Sequence, residues 1–96
     1  SPGVFKPLTA TAGALPAAAP LKVTATVRNP GGAAANNTNA IVVGFDTAGK
    51  VVAVGREFFG PAIAGSASAD VSITVDGPAR PARLEASATL SGALLK

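Results

Sequence analysis

The groups in this sequence able to move a proton or hold a cation are five carboxylates and four lysines. The carboxylates are Asp46, Glu57, Asp70, Asp76 and Glu85; the lysines are Lys6, Lys22, Lys50 and Lys96. A glycosidase needs two carboxylates about 5–10 Å apart across one bond. Asp70 and Asp76 share a strand face, but strand rise separates them by about 20 Å. Solvated turn and face carboxylates are the expected reading. Asp46 and Asp76 would meet around calcium only if their loops met at one end of the domain. Calcium takes six to eight oxygens, and the chain has no Asp-x-Asp-x-Asp run. Asp46 reads instead as a turn cap.

Serines and threonines are plentiful, but a hydroxyl nucleophile needs a base. The chain has no histidine and no cysteine. That removes the commonest general base and metal ligand, and with them thiolate sites and disulfides. Only a lysine of lowered pKa remains, and all four lysines fall at polar, turn or terminal positions. Gly31-Gly32 and Gly60-Pro61 build no phosphate loop, because no Gly-Lys-Ser/Thr and no helix follows them. No catalytic residue, metal or cofactor is expected, and the chain reads as non-enzymatic.

Four residues remain as candidate partner contacts: Phe58, Phe59, Arg80 and Arg83. Adjacent residues in a strand point to opposite faces. If both phenylalanines lie in one strand, one ring enters the core and the other is free to anchor a partner. The plainer expectation ends the strand at Glu57 and folds both rings over the end of the domain. Arg80-Pro-Ala-Arg83 offers a contact for an acidic polymer, and in its plainer reading is a solvated turn. Asn36-Asn37-Thr38 fits a glycosylation acceptor; its asparagines more simply satisfy loop backbone. Tryptophan and tyrosine, the usual platforms for sugars, are absent.

The 96 residues make one domain. A chain of this size buries roughly 60–65% of its unfolded surface. Aromatics are 4%, so the core falls to Val, Ile, Leu and four phenylalanines. Charged residues are 14%, about half the usual share. The net charge of +3 comes from cations scattered singly from Lys6 to Lys96. Duplex binding needs them clustered, so no nucleic acid is expected. The longest bulky apolar run, Ile41–Phe45, is far short of the ~20 residues of a membrane-spanning helix. Ala93-Leu-Leu95 is too short to anchor the chain. A start at Ser1 rather than Met reads as a processed protein or a piece of a longer one.

The elements that must position these groups are strands. Leu21–Arg28 alternates apolar and polar without a slip and ends at Asn29-Pro-Gly-Gly32. That is a half-buried strand closed by a turn. Val23, Ala25 and Val27 face the core; Lys22, Thr24 and Thr26 face water. Val4–Ala12 reads as an edge strand, because Pro7 cannot donate to a ladder. Asn39–Asp46 follows a polar loop at 29–38, with Ile41, Val43 and Phe45 inward. Asp46-Thr-Ala-Gly-Lys50 reads as a tight hairpin leading into Val51–Phe59. Apolar residues lie on both faces of that strand, which predicts a covered second face or an exposed edge. Ala69–Asp76 and Arg83–Ser91 alternate cleanly, and a seventh strand near Phe58–Ile63 fits as well. Six or seven short strands of this kind predict an all-β, immunoglobulin- or fibronectin-III-like antiparallel sandwich, with a β-barrel as the alternative.

A strand ending in Val27-Arg28-Asn29-Pro30-Gly31, a polar loop, then Val42-Val43-Gly44-Phe45-Asp46 and a Gly-Lys hairpin resembles the FxLYD family. Ala64-Gly65-Ser66 stands where that family has its later turn. The resemblance spans Leu21 to Val75. Asp46 matches the naming motif, whereas Val42, Gly44 and Phe45 stand for its Phe, Leu and Tyr. The resemblance implies an extracytoplasmic bacterial accessory domain without catalytic residues.

The expected function is a protein-interaction domain of a secreted or surface protein. Its partner would be the rest of a parent chain or another surface protein. A spacer of a surface fibre, pilus or phage particle is the alternative, and a polysaccharide-binding module a weaker one. Val23→Asp buries an unpaired charge and costs about 4 kcal/mol or more, enough to unfold the domain. Thr24→Asp changes stability by at most about 0.5 kcal/mol. Urea midpoints check the pair, and equal midpoints would refute the facing.

Overall fold

The computed structural model describes residues 7–90. Val4–Lys6 of the expected first strand, Ser91, Ala93–Leu95 and Lys96 lie outside the described residues. Six strands follow one another: β1 (Thr9–Ala12), β2 (Leu21–Arg28), β3 (Thr38–Phe45), β4 (Val51–Phe59), β5 (Ser68–Val75) and β6 (Arg83–Leu90). They form two antiparallel sheets, ordered β1-β2-β5 and β4-β3-β6. The described residues contain no helix. The strands divide between two separate sheets, so the pairing is not that of a closed barrel.

Sequence alternation sets the facing of the first sheet. Val23, Ala25 and Val27 of β2 and Val71, Ile73 and Val75 of β5 are buried. Each inward residue pairs with an inward one, Val23 with Ile73 and Ala25 with Val71. Leu8 is buried ahead of β1, and Ala10 and Ala12 pack against the same core. The outer face of this sheet is polar: Lys22, Thr24 and Arg28 on β2, Ser68, Asp70, Ser72 and Thr74 on β5.

The central strand of the second sheet departs from expectation. Ile41, Val43 and Phe45 face outward; Thr38, Ala40, Val42 and Gly44 face inward. The cause is space. Sheets stack about 10 Å apart, and the first sheet fills that gap with Val23, Val27, Ile73 and Val75, all at most 2% exposed. The facing surface has to be small, and Ala40, Ala53 and Ala88 supply it. Gly44 sets the parity, since a Cβ there would lie 2.7 Å from a carbon of Pro81. Slipping by one residue would drive Phe45 into that space.

The hairpin at Asp46 forms as expected. The Asp46 carboxylate accepts the backbone N–H of Ala48 and of Lys50, each at 2.9 Å. Gly49 takes φ +85°, a conformation that favours glycine. A bulge between Gly44 and Phe45 shifts the pairing of β3 with β4 at this end. No seventh strand forms near Phe58–Ile63. Phe58 and Phe59 belong to β4, and Ile63 makes only an isolated bridge to Ala35.

The 29–38 segment is not a solvated loop throughout. Asn29 is 1% exposed. Its side-chain N–H groups donate to the carbonyls of Ala33 (2.7 Å) and Ile63 (2.9 Å), and its side-chain oxygen accepts the N–H of Gly31 (3.1 Å). Its own backbone N–H and carbonyl pair with Ala67 and Ser66. Every polar group of a fully buried amide is thereby satisfied. Thr38, which opens β3 rather than closing the loop, is 0% exposed and its hydroxyl has no partner.

These two residues predict opposite outcomes. Asn29→Ala leaves the buried N–H of Gly31 unpaired, removes the side-chain bonds to the Ala33 and Ile63 carbonyls, and costs about 2 kcal/mol. Thr38→Val removes an unpaired buried hydroxyl and stabilises by about 1 kcal/mol. Chemical denaturation measures both.

Candidate functional site

Cross-strand partners share a face, so the register maps the outer surface of the second sheet row by row. Val43 lies between Val54 of β4 and Glu85 of β6. Ile41 lies between Arg56 and Ser87, and Asn39 between Phe58 and Thr89. Phe45 closes the end beside Arg83, whose guanidinium sits 4.3 Å from the ring centroid. Arg83 also pairs with Glu85 on its own strand. The surface is an aliphatic stripe bordered by Arg56 on β4 and by the Arg83–Glu85 pair on β6. Val54 is 48% exposed and Phe58 55%.

The two phenylalanines do not fold together over the end of the domain. Both lie in β4, and strand alternation separates them. Phe59 packs half-buried against the core, while Phe58 stands outward. Of the four candidate contacts, the structure places Phe58 and Arg83 on this one face. Arg80 is elsewhere: it donates to the carbonyls of Pro16 (2.6 Å) and Ala17 (3.3 Å), strapping the 13–20 loop to the β5–β6 connection. Ile41 and Val43, read from the sequence as core, are the residues this face adds. Their only signal in the sequence was an apolar run on both faces of β3 and β4.

The carboxylates lie apart. Asp46 caps its hairpin. Asp70 accepts the Thr26 hydroxyl at 2.8 Å on the outer face of the first sheet. Glu85 belongs to the second sheet, and Glu57 is an exposed residue of β4. No group of three metal-ligating side chains occurs among the described residues. An open notch of about 320 Å³ is lined by Leu21, Asp76, Pro78 and Arg80, where the guanidinium is already bound to backbone. Lys22 and Lys50 are exposed. Of the glycosylation triplet, Asn36 is exposed and Thr38 is buried. No helix among the described residues is long and apolar enough to cross a membrane.

No protein-family model, curated protein or solved structure matches this chain.

The two rings differ in what their removal does. Phe58→Ser shifts stability by at most about 0.5 kcal/mol, as for other surface substitutions. Phe59→Ser costs about 2 kcal/mol in lost burial. Thermal or urea melts of the two variants check the assignment.

Proposed function

We propose that this chain is a non-catalytic, immunoglobulin-like interaction domain of a secreted or surface-attached bacterial protein. The outer face of β4-β3-β6 is its docking surface. The observation that carries the reading is the apolar stripe on this face, with Val54 and Phe58 exposed and Ile41 and Val43 half-buried between them. The opposite outer face shows what a purely solvated sheet of this chain looks like, with threonines, serines and charges only. Exposed contiguous apolar surface marks interaction sites, and an aromatic at its end suits an anchor.

The strand order supports the architecture. β1-β2-β5 over β4-β3-β6 follows the layout of a fibronectin-III-like sandwich of six strands. The Asp46 hairpin, with Gly49 and Lys50, supports the FxLYD-like resemblance, and the extracytoplasmic bacterial setting rests on that resemblance. A polypeptide partner suits an aliphatic face bordered by β4, an edge strand past Val54, whose own N–H and carbonyl pair with Asp76. The dispersed carboxylates, and a sequence without histidine or cysteine, favour binding over catalysis.

A displayed random-peptide library tests the reading. Selected peptides are expected to bind the wild type and to lose at least about tenfold in affinity with Val54→Glu. Peptides that bind this variant equally well, or a selection that never rises above background, would overturn it.

A further inference from the structure

The edge strands of the two sheets are β1, β5, β4 and β6. An edge strand carries a row of unpaired N–H and C=O groups that templates pairing with another chain. Proteins blunt such rows with short strands, proline, bulges, inward charges or covering segments. β1 has only four residues, with Pro7 two positions ahead of it. β4 is bulged opposite Gly44 and Phe45, and it sets Glu57 at an inward position between Gly55 and Phe59. β5 is met by β4: a Cβ at Gly55 would collide with the Thr74 carbonyl, and Asp76, just past β5, bonds to Val54. β6 carries no such device. It runs eight residues without proline and keeps an unbroken register with β3 throughout. Only Leu84, Ala86, Ala88 and Leu90 turn inward from it. No backbone bond reaches its outer edge among the described residues.

The core is open along the same border. Ala10 and Ala12 of β1 and Leu84 and Ala86 of β6 face the gap between the layers and are only half-buried. All but Leu84 are alanines. The border lacks the bulk that Val23, Val27, Ile73 and Val75 supply at the centre.

We infer that the outer edge of β6 takes an extended segment of a partner polypeptide as one more strand. The inference does not rest on the apolar stripe of the outer face. A row of backbone donors and acceptors is answered in register only by another peptide backbone, which sets the class of occupant. The two faces of β6 set its side chains. Positions beside Leu84, Ala86, Ala88 and Leu90 turn toward the open gap and take large aliphatic residues, because the alanines around them leave room. Positions beside Arg83, Glu85, Ser87 and Thr89 turn toward solvent and take polar residues. Arg83 and Glu85 already pair with each other, so the partner needs no charge. A second copy offering its own β6 fits less well. Antiparallel pairing centred on Ala86 would set alanine against alanine and leave the gap unfilled.

The probe is a synthetic peptide matched to the eight residues of β6, alternating valine with threonine and carrying a terminal lysine at each end. A peptide of the same composition with its valines grouped is the control. Amide hydrogen exchange, followed by NMR on the whole chain, reads the edge. At about 1 mM the alternating peptide is expected to slow exchange at least about tenfold at alternate residues of β6, those whose N–H groups point away from β3. The grouped peptide is expected to leave them unchanged. Ala86→Lys points a charge into the gap and is expected to weaken peptide binding at least about tenfold. Its urea midpoint shows whether the fold is kept, and the exchange pattern of the wild type decides the matter without it. Failure to bind at that concentration overturns the inference. So does binding that leaves the β6 amides unprotected, equal protection by the grouped peptide, or a folded Ala86→Lys that binds as well as the wild type. Amides already protected in the free chain overturn it too: in a monomer the chain closes its own edge, and in a dimer a second copy does.

Discussion

Steric crowding between the sheets governs the rest of this molecule. Four large aliphatic side chains, Val23, Val27, Ile73 and Val75, project from one sheet into the gap. A gap of fixed width holds a fixed volume at the packing density of protein interiors, so the opposing sheet has to answer mainly with small residues around the buried Val42. Ala40, Gly44, Ala53 and Ala88 do so. The larger residues of β3 are left on the far side, and the apolar outer face follows from that. What this outer face presents to solvent is the remainder of how the core is filled.

A second, polar constraint aims that face. Asn29 ties the end of β2 to the segment around Ile63 through hydrogen bonds that use its whole amide. The Ala35–Ile63 bridge and the bond from the Asn37 N–H to the Gly60 carbonyl continue the same stitching. Together they hold the chain where it leaves β4. That keeps β4 regular through its last residue, and regularity is what sends Phe59 inward and Phe58 outward. A buried side chain at one end of the domain thus decides which of two adjacent rings meets solvent.

Much of the fold was legible because β2, β5 and β6 carry their apolar residues at one parity only. For those strands, facing follows from alternation. β3 is different: Ala40, Val42 and Gly44 compete with Ile41, Val43 and Phe45, and hydrophobicity alone favours the wrong set. The deciding information lies in Ile73 and Pro81, which are distant in sequence and meet β3 only after folding. Asn29 was hidden for the same reason. Its carbonyl partner Ile63 is 34 residues away, so it reads locally as one more turn asparagine. Of the site, only the separation of Phe58 from Phe59 could be approached from the sequence, as the alternative that strand alternation offered; the place of Arg83 beside the Phe45 ring could not. The aliphatic stripe could not either, because it depends on the parity of β3. The arginine pair also separates for a reason outside its own turn: Arg80 finds carbonyls of the 13–20 loop, whereas Arg83 begins a strand.

The mutual hydrogen bonds of Val54 and Asp76, at 2.9 and 3.0 Å, join the two sheets along one border. No comparable bond joins β1 to β6 among the described residues, and their inward Ala10, Ala12, Leu84 and Ala86 are only half-buried. The two layers are therefore bound like the covers of a book, with its spine along β4 and β5. Partial opening under thermal motion begins at the fore-edge, where no backbone bond crosses between the layers among the described residues. Strand β4 lies on the spine. Parting of the fore-edge moves β1 away from β6 and leaves the Val54–Asp76 hinge closed.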